Sequence, residues 1–537
     1  MKLCITGPSG AGKTTLATLI SGIAPHLSVI CGDSFIHRNS DELPALITKL
    51  KGTRSYVFEH VSALKIMLKA GIVPDFTIFL NPNQKNGTDG SPPETSDEPL
   101  PSNNEELKRQ LASARSAGIP HVMGSCIREV LNPCVDLLRR SVETWTPITN
   151  FLIKVSSRCN LDCSYCYMYQ GQDRDWPANS RFIASSTGRK VGERIAEYAK
   201  SRRLPCISVI FHGGEPLSLS ATRFSSLVRA VQEPLADVPN VRFSVQTNGT
   251  LINDRRLRLM DDLGLSIGIS LDGGDANSNR FRKTHSGKNS FDRVEVGLRA
   301  CVDFPFVKGR FGGVLCVVNP GVSGRDAYRY FRKIGISGVD FLLRDKTHDF
   351  EPGGVVNFDA LPFLIDAFDE WIADQSICKV PLFESIVAHL LGYSSGTDAV
   401  GLAPANLLGI GVDGNWELLD LLRICFEGAW KTPLNVFSHS IEEVHQSSAF
   451  SELLKWQYDL SESCLSCEAL NVCGGGYLPH RYSASKGFRN PSAHCKTLYG
   501  LIEHISATLR THVGGFHQRL TYAQRRRSFD VGKLQQS

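Results

Sequence analysis

The sequence predicts an α/β chain in three parts: an N-terminal parallel-sheet domain opened by a glycine-rich loop, a partial (β/α)6 barrel, and a C-terminal cysteine-rich domain. Three observations carry that prediction. A Gly-x4-Gly-Lys-Thr loop joins the first apolar run to a helical pattern. Six apolar runs then alternate with helical segments between Phe151 and Arg344, as a parallel sheet requires. Cysteines gather in two spaced sets, one directly after the first of those six runs and one beyond residue 460. The expected divisions are 1–82 with 103–145 for the first domain, 83–102 for a flexible insertion, 149–350 for the barrel, 351–510 for the C-terminal domain and 511–537 for a basic tail.

A chain of 537 residues is expected to hold two to four domains, and its 42% apolar content can fill large cores. The net charge of +5 is small for this size, so bulk charge does not argue for a nucleic-acid partner. No apolar run reaches the roughly 18–20 residues of a membrane span, and a glycine-rich loop begins at Gly7 where the apolar stretch of a signal peptide would have to continue. The expectation is a cytoplasmic protein without a membrane partner. In that compartment cysteines serve metals or catalysis more often than disulfides. Cysteines outside the two sets, such as Cys4, Cys316 and Cys425, read as core thiols.

In the first domain, strands are expected at Leu3–Ile5, Ser28–Cys31, Tyr56–Phe58, Thr77–Leu80 and His121–Met123. The loop Gly7, Gly10, Gly12, Lys13, Thr14 follows the first strand and precedes a helical pattern. In that context loop amides cradle phosphates, the lysine reaches the β- and γ-phosphates, and the threonine contacts magnesium. Asp33 and Glu59 stand at strand ends, as magnesium or acceptor ligands or as helix caps. The block resembles small P-loop kinases, which implies ATP with Mg as ligand and phosphotransfer as the activity. No arginine-rich lid is visible; Arg109 and Arg115 are the nearest phosphate clamps, and Asn83–Asn104 has the composition of an unstructured insertion.

The barrel strands are expected at Phe151–Val155, Ile207–Phe211, Val241–Val245, Leu265–Ser270, Gly312–Val318 and Val339–Leu343, with helices such as Lys190–Lys200 and Arg223–Gln232 between them. Chemistry in such a barrel sits at the strand ends and the loops after them. After the first strand comes Cys159-x3-Cys163-x2-Cys166, with no fourth cysteine nearby. Three thiolates can hold three irons of a 4Fe-4S cluster and leave the fourth open, whereas zinc wants four ligands. The next three strands end in His212-Gly-Gly-Glu-Pro216, Gln246-Thr-Asn-Gly249 and Ser270-Leu-Asp-Gly273. Each alone could be a plain turn; their common placement is what singles them out.

Near the C-terminus, Cys464-x2-Cys467-x5-Cys473 is completed by Cys495. Four cysteines can fully ligate a second cluster or a structural zinc.

The Cys-x3-Cys-x2-Cys spacing resembles that of the radical S-adenosylmethionine (SAM) superfamily, and the C-terminal set resembles its SPASM extension. The resemblance implies that Gly213, Gly214 and Glu215 hold the SAM methionine, that Ser270 and Asp272 contact its ribose or the substrate, that Asn248 joins the cofactor site, and that Tyr165 lies beside the adenine. It further implies reductive cleavage of SAM to a 5′-deoxyadenosyl radical, with electrons from a donor such as flavodoxin or ferredoxin. Cys473-Gly-Gly-Gly-Tyr477, Gly487–Ser492, Phe341–Asp349 and Gly414–Glu417 are similar to the FxsB-type, cyclophane-forming maturases, a likeness running from Thr149 to Gly500. Members of that group link an aromatic ring carbon to a β-carbon in a ribosomally made precursor peptide. Tyr477 stands where SPASM domains carry a further cysteine, and Cys425 is alone upstream, so two 4Fe-4S clusters are expected rather than three. Arg344 stands where that group has proline. Asp345, His348 and Asp349 are candidate substrate-binding or proton-accepting groups, or simply a polar loop. Rival readings are a sulfatase-maturase-like oxidation of Cys or Ser, and a nucleotide-gated iron–sulfur switch.

Overall fold

A computed structural model describes residues 147–512, apart from 174–178, 305–309, 355–357, 375–377, 392 and 394–396, together with five strands and a few further residues before 147. The five are Lys2–Thr6 (β1), Ser28–Cys31 (β2), Tyr56–Glu59 (β3), Phe76–Leu80 (β4) and His121–Gly124 (β5). All pair in parallel, in the order β2-β3-β1-β4-β5, so β1 is central and its Cys4 and Ile5 are fully buried. Their positions match the apolar runs to within a residue. The phosphate-loop residues Gly7, Gly10, Gly12, Lys13 and Thr14, with Asp33, Arg109, Arg115 and the expected insertion, lie outside the described residues.

The second sheet begins with six parallel strands: Asn150–Ser156 (β6), Ile207–Gly213 (β7), Val241–Thr247 (β8), Ser266–Ser270 (β9), Phe311–Val317 (β10) and Val339–Leu342 (β11). Alternate residues point toward the covering helices, and Phe151, Ile153, Ile207, Val209, Phe211, Ile267 and Ile269 are essentially sealed from water. Helices cover the outside, including Ser185–Arg202 and Ala221–Gln232. Short side chains start several of them: Ser220, Asn253 and Ser323 each accept a hydrogen bond from the amide three residues on.

The sheet does not stop at β6. Leu407–Ile410 (β12) pairs in parallel with β6, and Asn415–Glu417 (β13) and Lys431–Asn435 (β14) continue antiparallel, giving the order β11-β10-β9-β8-β7-β6-β12-β13-β14. The C-terminal part therefore lends strands to the barrel's own sheet. Runs of three to five residues carry too little periodicity to be read from sequence.

A buried charge network locks this seam. Lys154 of β6, only 4% exposed, meets Glu417 at 2.5 Å and also Asp420. Arg423 pairs with the same two carboxylates at 3.5 and 3.3 Å, and its guanidinium lies 3.4 Å over the Trp430 ring. Burial pushes the Asp420 carboxyl up, but Lys154 and Arg423 outweigh it and hold that group well below the carboxylate range. Replacing one member of a buried ion set leaves uncompensated charge behind. Lys154→Met is therefore expected to cost about 3–5 kcal/mol in chemical unfolding; a loss below about 1 kcal/mol would show the network to be dispensable.

Candidate active site

The C-terminal ends of β6–β11 and the loops after them line a cavity of ≈ 380 Å³. Cys159, Cys163 and Cys166 line it, on the turn between β6 and the short helix Tyr167–Gln170. The turn is gripped by a hairpin: the Asp162 amide donates to the Lys283 carbonyl at 2.6 Å, and the Ser164 amide to the Phe281 carbonyl at 3.0 Å. Burial, reinforced by the charge of Cys163, pushes the Cys159 and Cys166 thiols up to about 12. Such thiols shed their protons only to a metal.

The loop after β7 forms the facing cradle. Gly213 has φ of +123°, and a Cβ there would lie 2.5 Å from the Ser156 carbonyl oxygen; a Cβ on Gly214 would strike the Arg158 carbonyl and the Tyr169 hydroxyl. Only glycine fits either place. Glu215 differs from the expectation of direct ligand contact. Its side chain is fully buried, lies outside the cavity lining, and accepts from the Leu217 amide (2.9 Å), the Asn248 amide (2.8 Å) and the Thr247 hydroxyl (2.7 Å). A buried carboxylate must be satisfied locally, and these three donors do so. Glu215 thus joins the β7 and β8 loops, leaving Gly213, Gly214 and Asn248 to face the cavity.

Ser270 also lines the cavity, held by Gln246 at 3.0 Å. Asp272 does not. Its buried carboxylate accepts from the Tyr165 hydroxyl (2.6 Å), the Val317 amide (3.1 Å) and the Asn319 amide group (3.0 Å). Tyr165 faces the cavity, and its hydroxyl also accepts from Arg282 at 2.9 Å. Arg344 lies behind them: it donates to Asn319 (2.8 Å) and Glu351 (2.9 Å) and stacks 5.4 Å from the Tyr165 ring centroid. A proline there could make none of these bonds. Sequence patterns gave no signal for Arg282 or Asn319, which belong to no motif.

The opposite wall comes from the C-terminal part. Cys464, Cys467, Cys473 and Cys495 lie within reach of one another's charge: after burial, Cys464, Cys495 and Cys467 raise the Cys473 thiol, and Cys464 and Cys467 raise that of Cys495. Gly474, Gly475 and Gly476 all have positive φ (+65°, +87° and +74°), a run open only to glycine. It turns the chain so that Tyr477 and His480 face the cavity, with His480 at 3.2 Å from Asp345. His348 and Asp349 lie outside the cavity and are exposed: His348 bonds the Pro491 carbonyl at 2.8 Å, and Asp349 accepts from the Ala484 amide at 2.6 Å. They fasten the loop after β11 to the C-terminal segment, so Asp345 alone of the three reaches the cavity. Cys425 is buried, with its thiol at 3.7 Å from the Pro479 carbonyl. The donor set thus fits an open-iron cluster and its chelating ligand: three thiols on one turn, a backbone cradle that no side chain can fill, and a cavity of ligand size.

Residues 153–341 match the model of the Radical SAM superfamily. The chain is 30% identical over 370 residues to the serine-type anaerobic sulfatase-maturating enzyme of Klebsiella aerogenes, covering 66% of this chain and 84% of that protein. It is 26% identical over 343 residues to the cysteine-type enzyme of Clostridium perfringens (strain 13 / Type A), covering 62% and 89%. Among solved structures, native anSMEcpe with bound AdoMet superimposes with a TM-score of 0.57 over 70% of this chain and 99% of that one, at 22% identity, which is a likeness of fold.

The Glu215 clamp yields a test. Glu215→Gln turns one accepting oxygen into a donor facing donors, so the cradle should loosen. SAM affinity is expected to fall about tenfold with the cysteine turn intact; unchanged affinity in equilibrium binding would show that the cradle holds without it.

Proposed function

The chain belongs to the radical SAM superfamily, and on that premise we propose that it modifies a peptide, joining an aromatic ring carbon to the β-carbon of a nearby residue in a ribosomally made precursor. The observation that carries this reading is one cavity lined both by the cysteine turn and by Tyr477 and His480 of the C-terminal cysteine segment. A reduced 4Fe-4S cluster on Cys159, Cys163 and Cys166, with SAM, supplies a carbon radical able to take hydrogen from an unactivated C–H bond. The protein's part is placement. Gly213 and Gly214 offer backbone to the methionine end, Tyr165, Asn248 and Ser270 line the walls, and the apolar remainder excludes water. Asp345, hydrogen-bonded to His480, is the carboxylate placed to receive the proton that leaves as the new bond forms. Cys464, Cys467, Cys473 and Cys495 would hold a second, fully ligated 4Fe-4S cluster as acceptor for the remaining electron.

The two named relatives favour a second reading, oxidation of one Cys or Ser in a protein substrate. Tandem mass spectrometry of the product separates the two. A cross-link suppresses fragmentation between two positions, while an aldehyde at one residue reacts with a hydrazide and leaves fragmentation complete.

The N-terminal sheet is read as an ATP- and Mg-binding domain of P-loop type, with phosphotransfer as its implied activity. The central place of β1, directly before Gly7, supports this. A flavodoxin or ferredoxin is the proposed electron donor, and the cytoplasm the proposed compartment. No helix among the described residues is long and apolar enough to cross a membrane.

Replacing Cys159, Cys163 and Cys166 together by Ala should abolish 5′-deoxyadenosine formation and lower iron from about eight atoms per chain to about four. Iron near twelve in the reconstituted protein would demand a third cluster. Lys13→Ala should end nucleotide turnover and spare SAM cleavage, measured on the same preparation; loss of both in a folded variant would mean that the two parts work as one.

A further inference from the structure

One polar side chain on the cavity wall is used neither by the cofactor cradle nor by the proton acceptor. His212 precedes Gly213 and alternates along β7 with Phe211, whose ring packs on Phe224 of the covering helix Ala221–Gln232. The imidazole therefore lies on the inner face of the sheet, where it lines the cavity. Its partner in register on β6 is Lys154. On β8, Gln246 follows Val245, the partner of Phe211.

The polar groups around it are already engaged. Lys154 is held by Glu417 and Asp420, Gln246 by Ser270, Tyr167 by Asp420, and His480 by Asp345. His212 is different: its Nδ1 is sealed from solvent and has no hydrogen-bond partner among the described residues. Burial lowers the imidazole below the usual histidine range; Asp420 opposes that shift and Lys154 adds to it. A neutral imidazole offers one N–H donor and one bare acceptor nitrogen. A dry, unpaired ring nitrogen is unfavourable, so a group that reaches it gains by satisfying it.

The walls indicate what kind of group arrives. Tyr165, Tyr167, Tyr169, Tyr477 and Phe341 all line the same cavity. Aromatic walls receive a further ring in offset or edge-on contact. An aromatic side chain with an O–H or N–H on its rim matches both features, its ring against the wall and its donor on the imidazole.

We infer that His212 accepts a hydrogen bond from an aromatic side chain of the substrate, which is therefore tyrosine or tryptophan rather than phenylalanine. The inference rests on the peptide reading above and narrows it: the ring that is cross-linked carries its own hydrogen-bond donor, and His212 sets how that ring is turned.

The test is anaerobic equilibrium binding to reconstituted full-length protein with SAM present. The probes are the N-acetyl amides of tyrosine, tryptophan and phenylalanine. The tyrosine or tryptophan amide is expected to bind about tenfold tighter than the phenylalanine amide. His212→Leu removes the acceptor and should erase that preference, while His212→Gln, which restores an acceptor, should recover part of it. SAM affinity, measured without the amides, should be unchanged in both variants. Equal binding of all three amides by the parent protein would overturn the inference and leave the peptide reading in place. A preference that survives His212→Leu would overturn it too, because another group would then make the bond. Weaker SAM binding in both variants would assign His212 to the cofactor and overturn it likewise. Failure of all three amides to bind would refute both the inference and the peptide reading.

Discussion

Everything at the reactive end of this molecule hangs on a lysine in a barrel strand. Lys154 lies on the face of β6 opposite Phe151, Ile153 and Val155 yet is only 4% exposed, and its ammonium can be tolerated there only if anions come to it. They come from Glu417 and Asp420, more than 250 residues later in the chain, with Arg423 balancing the surplus negative charge. The same Asp420 accepts a 2.7 Å hydrogen bond from Tyr167, the residue after Cys166. Asp173, beyond that short helix, accepts from the Trp430 indole at 2.6 Å. One electrostatic requirement thus fixes the C-terminal segment to the barrel and the cysteine turn to both.

On its other side the turn is fixed by a second set of buried polar groups. Tyr165 is held through Asp272 and Asn319 to Arg344, a chain in which each buried polar group finds a partner. The turn is therefore set before any ligand arrives, and little ordering remains to be done when one binds. The two carboxylates that the sequence placed at the ligand, Glu215 and Asp272, both turn out to brace the loops that touch it.

This division explains what could be read from the sequence. Strands β6–β11 were legible because buried parallel strands are long apolar runs closed by turn residues, and the four strand-end motifs were legible because chemistry concentrates there. Glu215 and Asp272 were found as motif members, but a linear pattern does not say which way a side chain points. Arg282, Asn319 and the Lys154 network were invisible for a different reason. Their partners lie tens to hundreds of residues away, and a satisfied buried charge looks in sequence like any surface charge. His348 and Asp349 followed Asp345 in a polar run, and only the path of the loop separates the one that enters the cavity from the two that tie it down.

The insertion of β12 beside β6 has a consequence for how the molecule comes to exist. Asn150 is hydrogen-bonded through its side chain to Asn406, 256 positions on, and β6 has no neighbour on that edge until Leu407–Ile410 arrives. During synthesis the ribosome must deliver every other barrel strand, and then some sixty residues more, before the first strand gains its second partner. Contacts this distant in sequence close slowly and leave an open strand edge in the meantime. Lys154 waits on that edge, unpaired until Glu417 and Asp420 emerge, and with it waits the turn that bears Cys159, Cys163 and Cys166. The first cysteines of the chain thus appear early but become a rigid site only near the end of translation.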